Sequence, residues 1–154
     1  MDFWLGPFHS GGMTAKQPED LPRLFVARAN AGDADGMAAL YAEDAVLAYP
    51  PGSSTVGREA IRAVLEQMLD HAPRPFPLES PLPTVRYGDL ALTSTRSADD
   101  TGGRVQVAQR QPDGTWLRII DRPELPAEDE RPRPSDPPTL REARGSGYAL
   151  DNER

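Results

Sequence analysis

Apolar residues recur at intervals of three and four in the first half of the chain and at intervals of two in the second, which predicts helices followed by strands. Leu21, Leu24 and Phe25 set the first helix, over residues 20–30, with Pro22 tolerated in its opening turn. Gly32 suits the left-handed residue that closes a helix, and Asp33 is a good N-cap for the next one. Met37, Leu40 and Tyr41 give that second, short helix one apolar face, and Glu43 and Asp44 end it. The apolar, partly β-branched run 45–49 predicts a strand, stopped by Pro50, Pro51 and Gly52. Ile61, Val64, Leu65 and Met68 form the stripe of a third helix over residues 57–70, the strongest in the chain.

Prolines at 73, 75, 77, 81 and 83 then predict a linker or an irregular edge strand. Beyond them the period becomes two. Leu90, Leu92, Ser94 and Arg96 share one face of a strand, a turn follows at 99–103, and Val105 and Val107 mark the next strand. Pro112, Asp113 and Gly114 signal a hairpin into a last strand over 115–121. Leu117, Ile119 and Asp121 fall on one face of it, Trp116, Arg118 and Ile120 on the other. Three helices followed by successive antiparallel strands predict an α+β fold, a curved sheet wrapped on the helices with a cavity at its open end. The apolar alternation puts Leu92, Val107 and Ile119 inside as lining residues. Trp116 and Ile120 are left outside as a homodimer surface.

The ends differ from this centre. Residues 1–17 carry Phe3, Trp4, Leu5 and Phe8 ahead of Ser10-Gly11-Gly12 and read as a flexible leader. Residues 126–154 are rich in proline and in charges of both signs and read as a disordered tail. One domain over 18–125 remains.

Composition narrows the function classes. The formal charge of −7 argues against a nucleic-acid binder. With no cysteine there is no thiol nucleophile and no cysteine metal site, and the two histidines, His9 and His71, are too far apart in sequence and lack acidic neighbours at ligand spacing. No apolar run is long enough to span a membrane, and the N-terminus lacks the basic lead-in of a signal peptide, so a cytoplasmic protein is expected. No glycine-rich phosphate loop or nucleophile elbow is present.

Asp121 is the strongest chemical candidate, an acid among apolar neighbours at the end of the last strand. There it is expected to have a raised pKa and to exchange a proton near neutrality. Period two places Arg96 beside Leu92 on the inward face, as the partner a buried carboxylate needs. Tyr49, at the end of the first strand, and Phe25, on the first helix, complete the candidate lining.

Two segments carry a family resemblance. GDADGMAALYAEDAVLAYPPG with the following VGREAI resembles the central signature of the nuclear transport factor 2-like superfamily, and QPDGTWLRIIDRPEL resembles the last hairpin of a branch without an assigned reaction. The similarity runs over residues 21–125. It implies a cone-shaped α+β barrel, three N-terminal helices packed on a curved, mainly antiparallel sheet. The superfamily includes ketosteroid isomerases, SnoaL-like polyketide cyclases and limonene-type epoxide hydrolases. The resemblance implies an apolar ligand in the cone, cofactor-free acid/base chemistry and a homodimer, with a non-catalytic binding or dimerisation module as the alternative. By that resemblance, Phe25 stands where the isomerases place an oxyanion-donating tyrosine, and Tyr49 where they place the proton-moving aspartate, so isomerase activity on steroids is not expected. Asp121 corresponds to the general acid/base of the SnoaL-like cyclases. The epoxide hydrolases bridge two aspartates with an arginine. Arg96 and Asp121 supply one such pair, but Asp44 and Asp89 read as turn residues.

Overall fold

The computed structural model describes residues 13–97 and 102–126; residues 1–12 and 127–154, where most of the leader and the tail fall, lie outside the described residues, as does the 98–101 part of the second turn. The elements in order are α1 (Asp20–Asn30), α2 (Ala34–Ala38), β1 (Tyr41–Leu47), β2 (Thr55–Val56), α3 (Arg58–His71), β3 (Ser80–Pro81), β4 (Val85–Tyr87), β5 (Leu90–Arg96), β6 (Gly102–Arg110) and β7 (Trp116–Pro126). The strands form one sheet in the order β2-β1-β7-β6-β5-β3, with β4 also paired to β5. All pairings are antiparallel except β1 with β7, as the α+β expectation requires.

Local signals act where the sequence places them. Gly32 takes a positive φ of 69° between α1 and α2. The Asp33 carboxylate caps α2 by accepting from the Gly36 N–H at 2.8 Å. Gly57, at φ 94°, turns the chain into α3. The proline-dense segment supplies only the two-residue strand β3 at the sheet edge, where a missing N–H is tolerated.

The second helix is shorter than its apolar spacing predicts. It stops at Ala38, and Tyr41, Glu43 and Asp44 belong to β1. The Leu40 carbonyl accepts from the Arg118 N–H at 2.8 Å, so tertiary pairing draws the chain into the sheet before the helix completes another turn. The β1·β7 register slips between Tyr41 and Val46, and Glu43 and Asp44 lie exposed in that irregularity.

The helices cover one face of the sheet, whose inner residues change character along the strands. At one end Ala91, Ala108 and Trp116 join Leu21, Met37, Leu40, Ile61 and Leu65 in the core. Each large aliphatic side chain buried there contributes about 1.5–3 kcal/mol. Toward the other end the same face carries Thr93, Thr95, Gln106, Arg118 and Asp121, all buried. The chain N-terminal to α1 closes the apolar end. Trp116 N–H donates to the Ala15 carbonyl at 2.8 Å, and the buried Arg28 donates to the carbonyls of Gly36, at 2.6 Å, and Met13.

This corrects the inward face expected from alternation. In β5 the inward residues are Ala91, Thr93 and Thr95; Leu92 is 40% exposed, and Leu90 and Arg96 are exposed beside it. In β6 they are Gln106 and Ala108, with Val107 on the outer side. Trp116, expected outside, is buried. The outer face instead carries a row of directly paired apolar residues across six strands: Val85, Leu92, Val107, Ile120, Val46 and Val56.

Candidate functional site

A β-bulge builds the site. Val107 pairs with Ile120 and the next residue, Ala108, with Arg118, so Ile119 has no residue opposite it. Simple alternation would put Arg118 and Asp121 on opposite faces. The extra residue resets the alternation between them, and both side chains point inward. Ile119 packs half-buried against the core at the bulge rather than lining the cavity.

Asp121 is 3% exposed and fully engaged. The Tyr41 hydroxyl donates to Oδ2 at 2.5 Å, Gln106 Nε2 donates to Oδ1 at 3.2 Å, and Arg118 Nη1 stands 3.6 Å from Oδ2. Gln106 is oriented in turn by Thr93, whose hydroxyl donates to its Oε1 at 3.2 Å. Burial, and after it the adjacent Asp121 charge, push the Tyr41 phenol well above its ordinary range, so it remains an O–H donor.

Arg118 is held by aromatic faces as well as by charge. Its guanidinium carbon lies 4.7 Å from the Phe25 ring centroid and 5.7 Å from that of Tyr41. The two rings meet edge to face at 6.5 Å. Among the described residues its side-chain hydrogen bond is made by Nη1, to the Tyr41 oxygen at 3.4 Å.

These groups form one wall of a cavity of about 500 Å³. The opposite wall is mainly apolar, from Phe25 and Val26 of α1 and Val64, Leu65 and Met68 of α3, with Gln67 and His71 of α3 beside them. Tyr49, 38% exposed, and Glu124 stand at the rim. Thr95, Glu79 and Arg104 continue the polar wall away from Asp121, with Thr95 Oγ1 donating to Glu79 at 2.7 Å and Arg104 Nε 3.2 Å from the same carboxylate.

Of the residues singled out from sequence, Asp121, Phe25 and Tyr49 meet at this cavity. Leu92, Val107, Ile119 and Arg96 do not line it. Arg96 sits exposed on the outer face of β5, opposite Gly103 and Ser80, and the guanidinium that reaches Asp121 belongs to Arg118. Asp44 is exposed in β1, and Asp89 pairs with Arg110 at the hairpin, so neither supplies a second carboxylate to the cavity; Glu79 and, at the rim, Glu124 do. Among the described residues no group of histidine, aspartate and glutamate could hold a metal ion.

The model of the SnoaL-like domain matches residues 23–121. No curated protein matches the chain. Among solved structures, a protein assigned as a calcium/calmodulin-dependent protein kinase type II association domain from Thiobacillus denitrificans is 22% identical, over 72% of this chain and 98% of the other, with a TM-score of 0.59. An NTF2-like protein of unknown function from Pseudomonas putida is 22% identical, over 78% and 93%, with a TM-score of 0.55. A ketosteroid isomerase-like protein from Erwinia carotovora atroseptica is 15% identical, over 68% and 89%, with a TM-score of 0.56. At these identities the likeness is one of fold.

Proposed function

The chain belongs to the SnoaL-like domain family, and from that premise we propose that it binds an apolar small molecule in the cavity and moves a proton on it without a cofactor. The observation that supports this reading is a carboxylate 3% exposed in the wall of a cavity whose opposite side is mainly aliphatic and aromatic. A core-filling role would not need that hollow, and a surface ion pair would not be buried.

In the proposed reaction a ketone lies with its ring system against Phe25, Val64 and Met68. The Asp121 carboxylate takes a proton from the carbon next to the carbonyl. The C–H electron pair becomes the π bond between that carbon and the carbonyl carbon, and the C=O π pair moves onto the oxygen, giving an enolate. Arg118 lies beside Asp121, so the negative charge passes from one neighbour of the guanidinium to another. Returning the proton to the same carbon completes an exchange, and in a β,γ-unsaturated ketone returning it to the γ-carbon completes an isomerisation. Tyr41, fixed as a donor, positions the carboxylate. Phe25, which by the family resemblance stands where the isomerases have a hydroxyl donor, places a ring under Arg118 instead.

1-Tetralone in deuterium oxide tests this. Proton NMR should show enzyme-dependent loss of the C2 protons, slowed about 10²- to 10⁴-fold by Asp121→Asn. Exchange that survives the substitution would overturn the proton-transfer role, and tetralone binding without exchange in the wild type would leave a non-catalytic ligand-binding module.

We also propose a cytoplasmic homodimer joined through the outer sheet face. Support comes from the six-residue apolar row there, with Leu92, Ile120, Val56 and Val85 exposed in the single chain. No helix among the described residues is long and apolar enough to cross a membrane.

A further inference from the structure

The polar wall of the cavity has two clusters. One is Asp121 with Tyr41, Gln106 and Arg118. The other is Glu79 with Thr95 and Arg104. They are separated by sheet geometry: Gln106 pairs with Thr93 and Arg104 with Thr95, so the clusters sit on inward positions two residues apart along β6. At a strand rise of roughly 3.4 Å per residue that is about 7 Å. Across the cavity α3 contributes Val64, Leu65 and Met68, with Gln67 and His71 at their side.

Among the described residues, Glu79 is more buried than the other carboxylates in surface ion pairs, of which Asp20 comes next at 23% exposed. The Glu79 side chain is 15% exposed, while those of Glu19, Asp35 and Asp89 are 48%, 76% and 62% exposed. It comes from the proline-dense segment just ahead of β3, and that short edge pairing holds it over the sheet at the level of Thr95. An ion pair needed only for stability gains little from half-burial at a cavity wall. Groups that must meet a ligand oxygen belong there. Arg104 is 42% exposed and retains donor capacity beyond its bond to Glu79, and a carboxylate holding one hydroxyl and one guanidinium retains lone pairs for a second hydroxyl.

We infer that Glu79, Thr95 and Arg104 form a second ligand subsite, and that the molecule taken by the cavity is flat and apolar with an oxygen function at each end. One end is the reacting carbonyl or hydroxyl at Asp121 and Arg118. The other is a hydroxyl or carbonyl that Glu79 accepts from or Arg104 donates to. The Glu79–Arg104 pair is close to neutral as a unit, so the distal group is uncharged rather than anionic. This inference rests on the cavity being a ligand site, as proposed above.

Three fluorescent probes separate the two ideas: naphthalene, 2-naphthol and 2,6-dihydroxynaphthalene, which carry no, one and two oxygens on the same flat frame. The full chain should bind the diol about tenfold more tightly than the mono-ol, the usual gain from one hydrogen bond to a charged group. Glu79→Ala should reduce that ratio to within twofold, and Arg104→Met, which keeps the aliphatic stem, should lower it as well. Thermal midpoints of both variants serve as the check on folding. Equal affinity of wild type for diol and mono-ol overturns the second subsite and leaves the cavity reading intact. A diol preference undiminished in folded Glu79→Ala and Arg104→Met protein overturns it too. Failure of all three probes to bind wild type overturns both.

Discussion

Arg118 Nη1 lies 3.6 Å from Asp121 Oδ2 although the two residues are three apart on one strand and both are almost fully buried. In a regular strand, residues at i and i+3 point to opposite faces. The bulge at Ile119 is therefore a requirement of the site. It bends β7 where the cavity begins and sets a cation and an anion side by side in a place where either alone would be costly.

That mutual dependence has a measurable consequence. Arg118→Met leaves the Asp121 charge without its counterion and should destabilise the fold by about 3–5 kcal/mol. Asp121→Leu should do similar damage by stranding the guanidinium. The double variant removes both charges and should be less destabilised than either single change. Urea denaturation of the four proteins checks this cycle. Additive losses would mean that the two groups do not depend on each other.

How much of this was legible is best seen on β5. Its sequence, LALTSTR, alternates clearly, and its range follows from the pattern alone. Which face is inward does not. Alternation reports two faces, and assigning the apolar one to the interior assumes that the interior is all apolar. Here Thr95 lines a cavity with a polar wall and Thr93 is buried behind Gln106, while Leu92 faces outward, so the pattern puts Leu92, Arg96 and Val107 on the wrong side. Counting by twos from Leu117 puts Asp121 inward, and the count succeeds because the bulge intervenes after Arg118. A cue to Arg118 was present: an arginine flanked by Leu117 and Ile119, with an acid three residues on, in an otherwise apolar strand. Tyr41 and Gln106 come from distant stretches, and only the β1·β7 and β6·β7 pairings bring them to Asp121.

Tyr41 makes stability depend on alkaline pH. Its folded-state pKa is raised, first by burial and then by the Asp121 charge, above the ordinary value of 10.0. Between the unfolded and the folded value the unfolded chain has lost this proton and the folded chain keeps it. The folded state then binds more protons, and stability falls as pH rises. The contribution is complete below pH 10 and declines above it. Tyr41→Phe should be less stable than wild type near neutrality by about 1–3 kcal/mol, for the donor lost to Asp121, but should lose less stability between pH 10 and 11. Parallel slopes for the two proteins in that interval would contradict this account.

The outer row offers a separate test. Leu92 and Val107 pair across β5 and β6 on the face away from the cavity. If two copies join there, Leu92→Asp with Val107→Asp should convert a dimer to a folded monomer in analytical ultracentrifugation, with the cavity still binding 2-naphthol. A wild-type chain that sediments as a monomer would end the homodimer proposal.

A filled cone and a ligand-binding cone respond differently to extra volume. Val64 and Met68 line the cavity on α3 and are only partly buried. Where a core is already packed, a larger side chain forces strain of about 1–3 kcal/mol. Where a hollow of about 500 Å³ lies beside the residue, added atoms have room. Val64→Phe should therefore leave the unfolding midpoint near that of the wild type while weakening 2-naphthol at least tenfold, because the new ring occupies the space of the probe. Loss of stability with no change in probe affinity would place the binding surface elsewhere. Isothermal titration and thermal unfolding on the same preparation give both quantities, so the two outcomes cannot be confused.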